Sequence, residues 1–213
     1  MAPWIAFPIA LVVSLIAERL GGLRPRAAWA AAIIGGLSLW KGGVFAALAV
    51  VFFVAVASLA TRMNQTSEDR QGRSPRQILA NGLPAALGIV LGSPAFFLGA
   101  LATALADTLA TEMGARAPRA WHPVRGRVPS GTSGAISPVG TAALVLGALG
   151  FWPWAVMFQI SPLAVVLGGV AGAFVDTAVG VLVEDRFPWW GNNLTNLLAT
   201  SAGGLLAAIL SMS

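Results

Sequence analysis

The sequence predicts an all-α, polytopic integral membrane protein of seven or eight transmembrane helices, with residues 1–213 forming a single transmembrane domain. The chain is 57% apolar and 10% charged with a positive mean hydropathy, a balance foreign to soluble domains. Its apolar runs approach the roughly 20 residues that a bilayer core of about 30 Å requires. Most of the charges sit in short stretches between those runs, and 12 of the 13 basic residues are arginine.

Residues 3–18 form the first run, with Pro3 and Pro8 near its start and Arg19, Arg24 and Arg26 ending it. No basic stretch precedes it, so it is expected to be a retained span and not a cleaved signal. Residues 27–40 and 44–61 are joined by Lys41-Gly42-Gly43 and are expected to form a helical hairpin. A polar loop follows over 62–74. Ser74-Pro75-Arg76-Gln77 then has the register of a capping box with proline at the first helical position, and starts a fourth helix. Ser93-Pro94 opens a fifth, which ends near Gly114. Residues 115–133 are the longest polar segment, with Arg116, Arg119, Arg125 and Arg127. The sixth helix runs to about Phe151, where Phe-Trp-Pro-Trp breaks it. The seventh covers Ile160 to about Leu182, with Gly168 and Gly172 in small-xxx-small spacing. A charged turn over 184–190 precedes the eighth, Asn192–Met212.

With eight spans, the loops after the first, third, fifth and seventh share one side and hold every arginine, while the other side holds only Lys41. The positive-inside rule places the arginine side in the cytoplasm and both termini outside, as in a bacterial or archaeal cytoplasmic membrane. The net charge of +5 is therefore a topology signal. Nucleic acid is not an expected partner.

The chain has no cysteine and one histidine, His122. Disulfides and thiolate metal sites are excluded, and a Ser/His/Asp triad is a poor fit. Chemistry must rest on carboxylates, amides, hydroxyls and arginines. A carboxylate inside a span is costly and is usually kept for an ion, a proton or a partner. Asp107 and Asp176 are such residues, near the cytoplasmic ends of their helices, and with Glu112 they are candidate ligands for Mg²⁺, which takes hard oxygen donors. Asp107 and Glu112 lie about 140° apart on a regular helix, so Glu112 either reaches the ion from the helix end or pairs with an arginine.

Gly131-Thr132-Ser133-Gly134, between an arginine-rich loop and a helix N-terminus, has the backbone N–H groups, hydroxyls and dipole of a phosphate cradle, or is a plain turn. Arg76 is the arginine best placed to grip polyphosphate, for which arginine is better suited than lysine; most of the others serve topology and face anionic lipid. Gln77, Asn81, Asn192, Asn193 and Asn196 can orient a donor or acceptor, with Asn192 also able to cap its helix. All these groups are expected at one depth, in one polar, cytoplasm-facing site.

Five segments occur in the order seen in one membrane family: Gly72–Gly82 (Gly-Arg-Ser-Pro-Arg-Gln-Ile-Leu-Ala-Asn-Gly), Ala106-Asp107-Thr108 to Glu112, Gly131–Thr141, Asp176-Thr177, and Asn192–Asn196. Over about residues 22–212 the chain resembles the family of transmembrane protein 19 and plant phytyl-phosphate kinase. The resemblance implies a Mg²⁺-assisted enzyme that moves a phosphoryl group from a nucleoside triphosphate, CTP, to an isoprenoid monophosphate. Leu109, Thr111, Ser133 and a valine after Asp176 depart from that family's pattern. The alternatives are a transporter of a small anion or lipid phosphate, and a lipid-phosphate cytidylyltransferase using the same ion and loop.

Overall fold

The computed structural model describes residues 1–64, 72–184, 187 and 189–212. The chain is mostly helical, in the order α1 (Pro3–Arg19), α2 (Ala28–Met63), α3 (Pro75–Val90), α4 (Pro94–Gly114), α5 (Pro138–Leu149), α6 (Trp152–Met157), α7 (Pro162–Val179) and α8 (Asn192–Leu210). Five helical segments are long and apolar enough to cross a membrane: α2, α4, α5 with α6, α7 with the turn that follows it, and α8. Parts of the expected 62–74 loop and 184–190 turn lie outside the described residues.

Proline and hydroxyl residues set the helix starts. Ser74, Ser93, Ser137 and Ser161 each accept a hydrogen bond from a backbone N–H of the first turn, and each is followed by proline. At Ser74 the capping box is complete, because the Gln77 side chain accepts in return from the Ser74 N–H at 2.8 Å. This satisfies helix-end donors that would otherwise be buried unpaired.

Within α2 the helical ladder is interrupted at Gly43, at φ 74° and ψ −167°. Left-handed backbone of this kind favours glycine. A straight helix of this length would be about 54 Å long. Instead Ala31 and Gly35 line one cavity with Val50 and Val54, so the two arms fold back on each other. This is the hairpin expected at Lys41-Gly42-Gly43.

The polar 115–133 segment is not merely a loop. Ala120–His122 (β1) and Gly126–Val128 (β2) form a two-stranded antiparallel sheet, with His122 paired to Gly126, and this corrects the all-α expectation. Trp121 also exchanges backbone hydrogen bonds of 2.8 Å with Ile136, which ties the hairpin to the segment entering α5. The end of α7 departs from the expected regular helix as well. Residues Gly180–Glu184 form a π-helical turn.

Helices α4, α7 and α8 meet at backbone distance. A Cβ placed on Gly168 would lie 2.5 Å from the Gly203 carbonyl, and one on Gly172 would lie 2.6 Å from Thr103 Cγ2 and 2.8 Å from the Ala199 carbonyl. Thr103 sits at the centre, its hydroxyl donating to Gly99 O at 2.9 Å and 3.5 Å from Gly168 O. On the other side of α4, Gly147 packs on Ala106, where a Cβ would come within 2.8 Å of the Cα. Small residues are what permit such approaches between helices in lipid. Because Asp107 is one turn beyond Thr103 and Asp176 one turn beyond Gly172, this junction sets the relative position of the two carboxylates.

Candidate functional site

Asp107 and Asp176 line one cavity of about 340 Å³. Its wall comprises the end of α4 (Asp107, Thr111, Gly114), the whole Gly131–Gly134 segment, the first turn of α5 (Ser137, Gly140, Thr141), Asp176 and Thr177 of α7, and Asn192 at the start of α8. The sequence folds this way because α4 and α7 deliver acids within about two turns of their C-terminal ends, while α5 and α8 begin there. Two helix N-termini therefore point partial positive charge at a cavity holding two carboxylates.

The 131–134 segment is a tight turn. Gly131 and Gly134 have φ of 87° and 71°, and the Thr132 hydroxyl donates to Pro129 O at 2.7 Å. The segment rests on the π-helical turn, for a Cβ on Gly180 would lie 3.1 Å from Ser133 Oγ and 3.3 Å from Gly134 N. Gly134 has no room behind it: its Cβ would meet Val181 Cγ2 at 2.5 Å and His122 Nε2 at 3.3 Å. His122 is 1% exposed. Its Nδ1 accepts from the Val124 and Arg125 N–H groups, both at 3.2 Å. That leaves the proton of a neutral ring on Nε2, which is buried with no hydrogen-bond partner among the described residues.

The expectation of one polar site divides. Asp107, Asp176, Gly131, Thr132, Ser133, Gly134 and Asn192 share the cavity, and the others do not. Glu112 is buried on another face of α4, as its angular offset from Asp107 requires, and its carboxylate accepts from Asn64 Nδ2 at 2.7 Å. The expected set of three carboxylates is therefore corrected, since Glu112 stands apart from Asp107 and Asp176; among the described residues no group of three or more acids or histidines is placed to hold one metal ion.

Gln77 and Asn81 line a separate, narrow pocket with Arg73 and Leu101, and the Gln77 amide oxygen is committed to its capping box. Asn196 is buried one turn before Thr200, whose hydroxyl lies 3.4 Å from Ala80 O of α3, so it faces that helix. Asn193 is half-buried and not part of the cavity wall.

Arg76 is exposed, as are Arg116, Arg119, Arg125 and Arg127, and no arginine of the described residues lines the cavity. The arginine that matters to the interior is Arg73. It is 8% exposed, donates from Nη2 to Thr108 Oγ1 at 3.0 Å, and lies 5.4 Å from the Phe53 ring centroid. Its backbone is fixed by bonds to Gly22 O (3.2 Å) and from Arg24 N (3.0 Å).

Two structural features had no signal in the sequence reading: the His122 ring behind Gly134 and the π-helical turn beneath the loop.

The model of the family described as integral membrane protein DUF92 matches residues 8–204. The chain belongs to this family. It is 28% identical over 224 residues to an uncharacterized membrane protein of Methanocaldococcus jannaschii, covering 97% of this chain and 93% of that protein. It is 26% identical over 206 residues to an uncharacterized membrane protein of a Synechocystis strain, covering 84% and 78%. No solved structure matches. Membership establishes an integral membrane protein, in agreement with the five apolar helices, and the span matched takes in every cavity residue from Asp107 to Asn192.

Proposed function

We propose that this DUF92 chain is a Mg²⁺-assisted phosphotransferase that converts an isoprenoid monophosphate to the diphosphate with a nucleoside triphosphate, CTP, as donor. The observation that supports this best is the shared cavity: two carboxylates, a glycine-bounded loop and two helix N-termini face one volume. The acids suit a hard cation and the N-termini suit phosphate oxygens. Mg²⁺ typically takes one or two protein carboxylates with substrate phosphates supplying further ligands, so Asp107 and Asp176 fit it without Glu112. Bound there, Mg²⁺ would neutralise charge on the donor phosphates.

In this reading the N–H groups of the 131–134 turn and of the first turn of α5 hold phosphate oxygens, and Asn192 orients donor or acceptor. An oxygen of the acceptor phosphate attacks the terminal phosphorus of the donor. The bond from that phosphorus to the bridging oxygen breaks, and the nucleoside diphosphate leaves with the electron pair. Such transfer needs positioning and charge neutralisation more than a protein nucleophile.

An apolar groove on the outer face of α5, lined by Trp121, Ala142, Val145 and Leu146, shares Ile136, Ser137 and Thr141 with the cavity. It offers the acceptor's tail a path from lipid to the reacting centre. The resemblance to phytyl-phosphate kinase names the donor and acceptor class. The helical hairpin in α2, together with α1 and α3, brings the reading to eight spans. The arginine distribution orients the cavity toward the cytoplasm.

The test is incubation of purified protein with CTP, Mg²⁺ and a panel of isoprenyl phosphates. CDP and an isoprenyl diphosphate are expected. Pyrophosphate release would indicate cytidylyl transfer instead, and no turnover with any acceptor would remove the kinase reading.

A further inference from the structure

A second cavity, of about 490 Å³, runs between α1 and the two arms of α2. Over most of its length it is apolar, bounded by residues such as Ile9, Val13 and Ile16 of α1 and Val51 and Val54 of α2. From Ile9 to Leu20 it follows α1 for roughly 16 Å at 1.5 Å per residue. Its character changes at one end. There Gly22, Ser58 and Arg62 belong both to this groove and to a small pocket that adds Gly21, Thr61, Gly72 and Arg73. Ser58 and Arg62 are one helical turn apart on the same face of α2.

Two side chains at this end ask for a ligand. Ser58 Oγ is buried and has no hydrogen-bond partner among the described residues. A hydroxyl left this way carries its full desolvation cost. Arg62 donates from Nη2 to the Leu20 carbonyl at the end of α1. It has no carboxylate partner among the described residues, and most of its five N–H donors remain. Gly21, at φ 74°, makes room for it, since a Cβ there would stand 3.2 Å from Arg62 Nη2. An apolar trough ending in a cation and an orphan hydroxyl matches one chemistry: a hydrocarbon chain with an anionic head.

We propose that this groove binds an acidic phospholipid of the surrounding membrane, one acyl chain between α1 and α2 and the headgroup phosphate on Arg62 and Ser58. The pocket at this end holds Arg73 as well as Arg62, and basic pockets between spans meet acidic lipid headgroups. This lipid is not the proposed phosphoryl acceptor, because the groove shares no residue with the cavity of Asp107 and Asp176. Its role is to close α1 against α2.

The full chain, purified in detergent, is titrated with dioleoyl phosphatidylglycerol and with dioleoyl phosphatidylcholine, and bound lipid is read by native mass spectrometry together with the unfolding temperature. Phosphatidylglycerol is expected to bind more tightly and to raise the unfolding temperature. Loss of a charge-assisted bond in Arg62→Gln should weaken phosphatidylglycerol binding on the order of tenfold. Because Arg62 also caps α1, Ser58→Ala is the cleaner variant. It touches no existing partner, so it should fold as well as wild type yet bind phosphatidylglycerol several-fold more weakly. Ala55→Trp, which fills the groove, should abolish retention. Equal affinity for the two lipids, or a Ser58→Ala protein that binds phosphatidylglycerol like wild type, would overturn the proposal. Neither readout uses nucleotide, so the outcome is independent of the kinase reading.

Discussion

Replacing Gly172 by alanine adds one methyl group where three helices touch. The new Cβ would stand 2.6 Å from Thr103 Cγ2 and 2.8 Å from the Ala199 carbonyl, against an ordinary contact of 3.4 Å. It is short by about 0.8 and 0.6 Å, respectively. Rotating Thr103 relieves the first contact but gives up its hydrogen bond to Gly99 O. The second is with main chain and yields only if α7 and α8 separate. Overpacking of this kind costs about 1–3 kcal/mol, and at roughly 2–4 °C per kcal/mol for a chain of this size the unfolding temperature should fall by several degrees. Function should suffer separately. Asp176 is one turn beyond Gly172, and a displacement approaching 1 Å at a reacting centre costs up to about a hundredfold in rate. The assay is intrinsic tryptophan fluorescence on heating, in detergent, with turnover measured on the same preparation. Gly191→Ala is the control, since a Cβ there meets nothing within 4 Å. Thr103→Ala in the Gly172→Ala background should recover part of the loss, because it removes one of the two obstructions. A Gly172→Ala protein with the unfolding temperature and turnover of wild type would refute the claim that this junction fixes the carboxylates.

Three further outcomes are expected. Asp107→Asn and Asp176→Asn should each lower turnover by orders of magnitude while folding is kept, whereas Glu112→Ala should act on stability first, by about 1–3 kcal/mol, because it removes the buried hydrogen bond from the Asn64 amide; turnover and thermal unfolding of the three variants separate the roles. Ala142→Phe, in the groove along α5, should raise the KM for long isoprenyl phosphates and leave that for short ones unchanged, as read from acceptor titrations. In intact cells an impermeant thiol reagent should label Lys41→Cys but not Arg127→Cys, a clean comparison in a cysteine-free chain; the reverse pattern would invert the topology.

Much of this architecture could be read from local chemistry. Ser74-Pro75-Arg76-Gln77 specifies its own helix start, and Gly43 marks a turn because only glycine adopts that backbone without strain. The 3.6-residue period already separated Glu112 from Asp107. What could not be read depends on contacts between distant segments. Arg73 and Arg76 are alike in sequence, but the backbone bonds of residue 73 to Gly22 and Arg24 draw the first inward and leave the second in solvent. Asn192 and Asn196 share a helix face, yet α3 covers the deeper one, so only Asn192 reaches the cavity. Strands of three residues are too short for a period of two to stand out. The π-helical turn after α7 has no composition of its own.

His122 is the sole imidazole of the chain, and its Nε2 lies against Gly134 at the rear of the cavity. A sample grown with ring-labelled ¹⁵N-histidine would therefore give a single pair of side-chain nitrogen resonances, without assignment and without mutation. Ligand entering from the front of the 131–134 turn would shift those resonances. The protein thus carries a built-in spectroscopic reporter of occupancy, one that can rank nucleotides and lipid phosphates before any product is known.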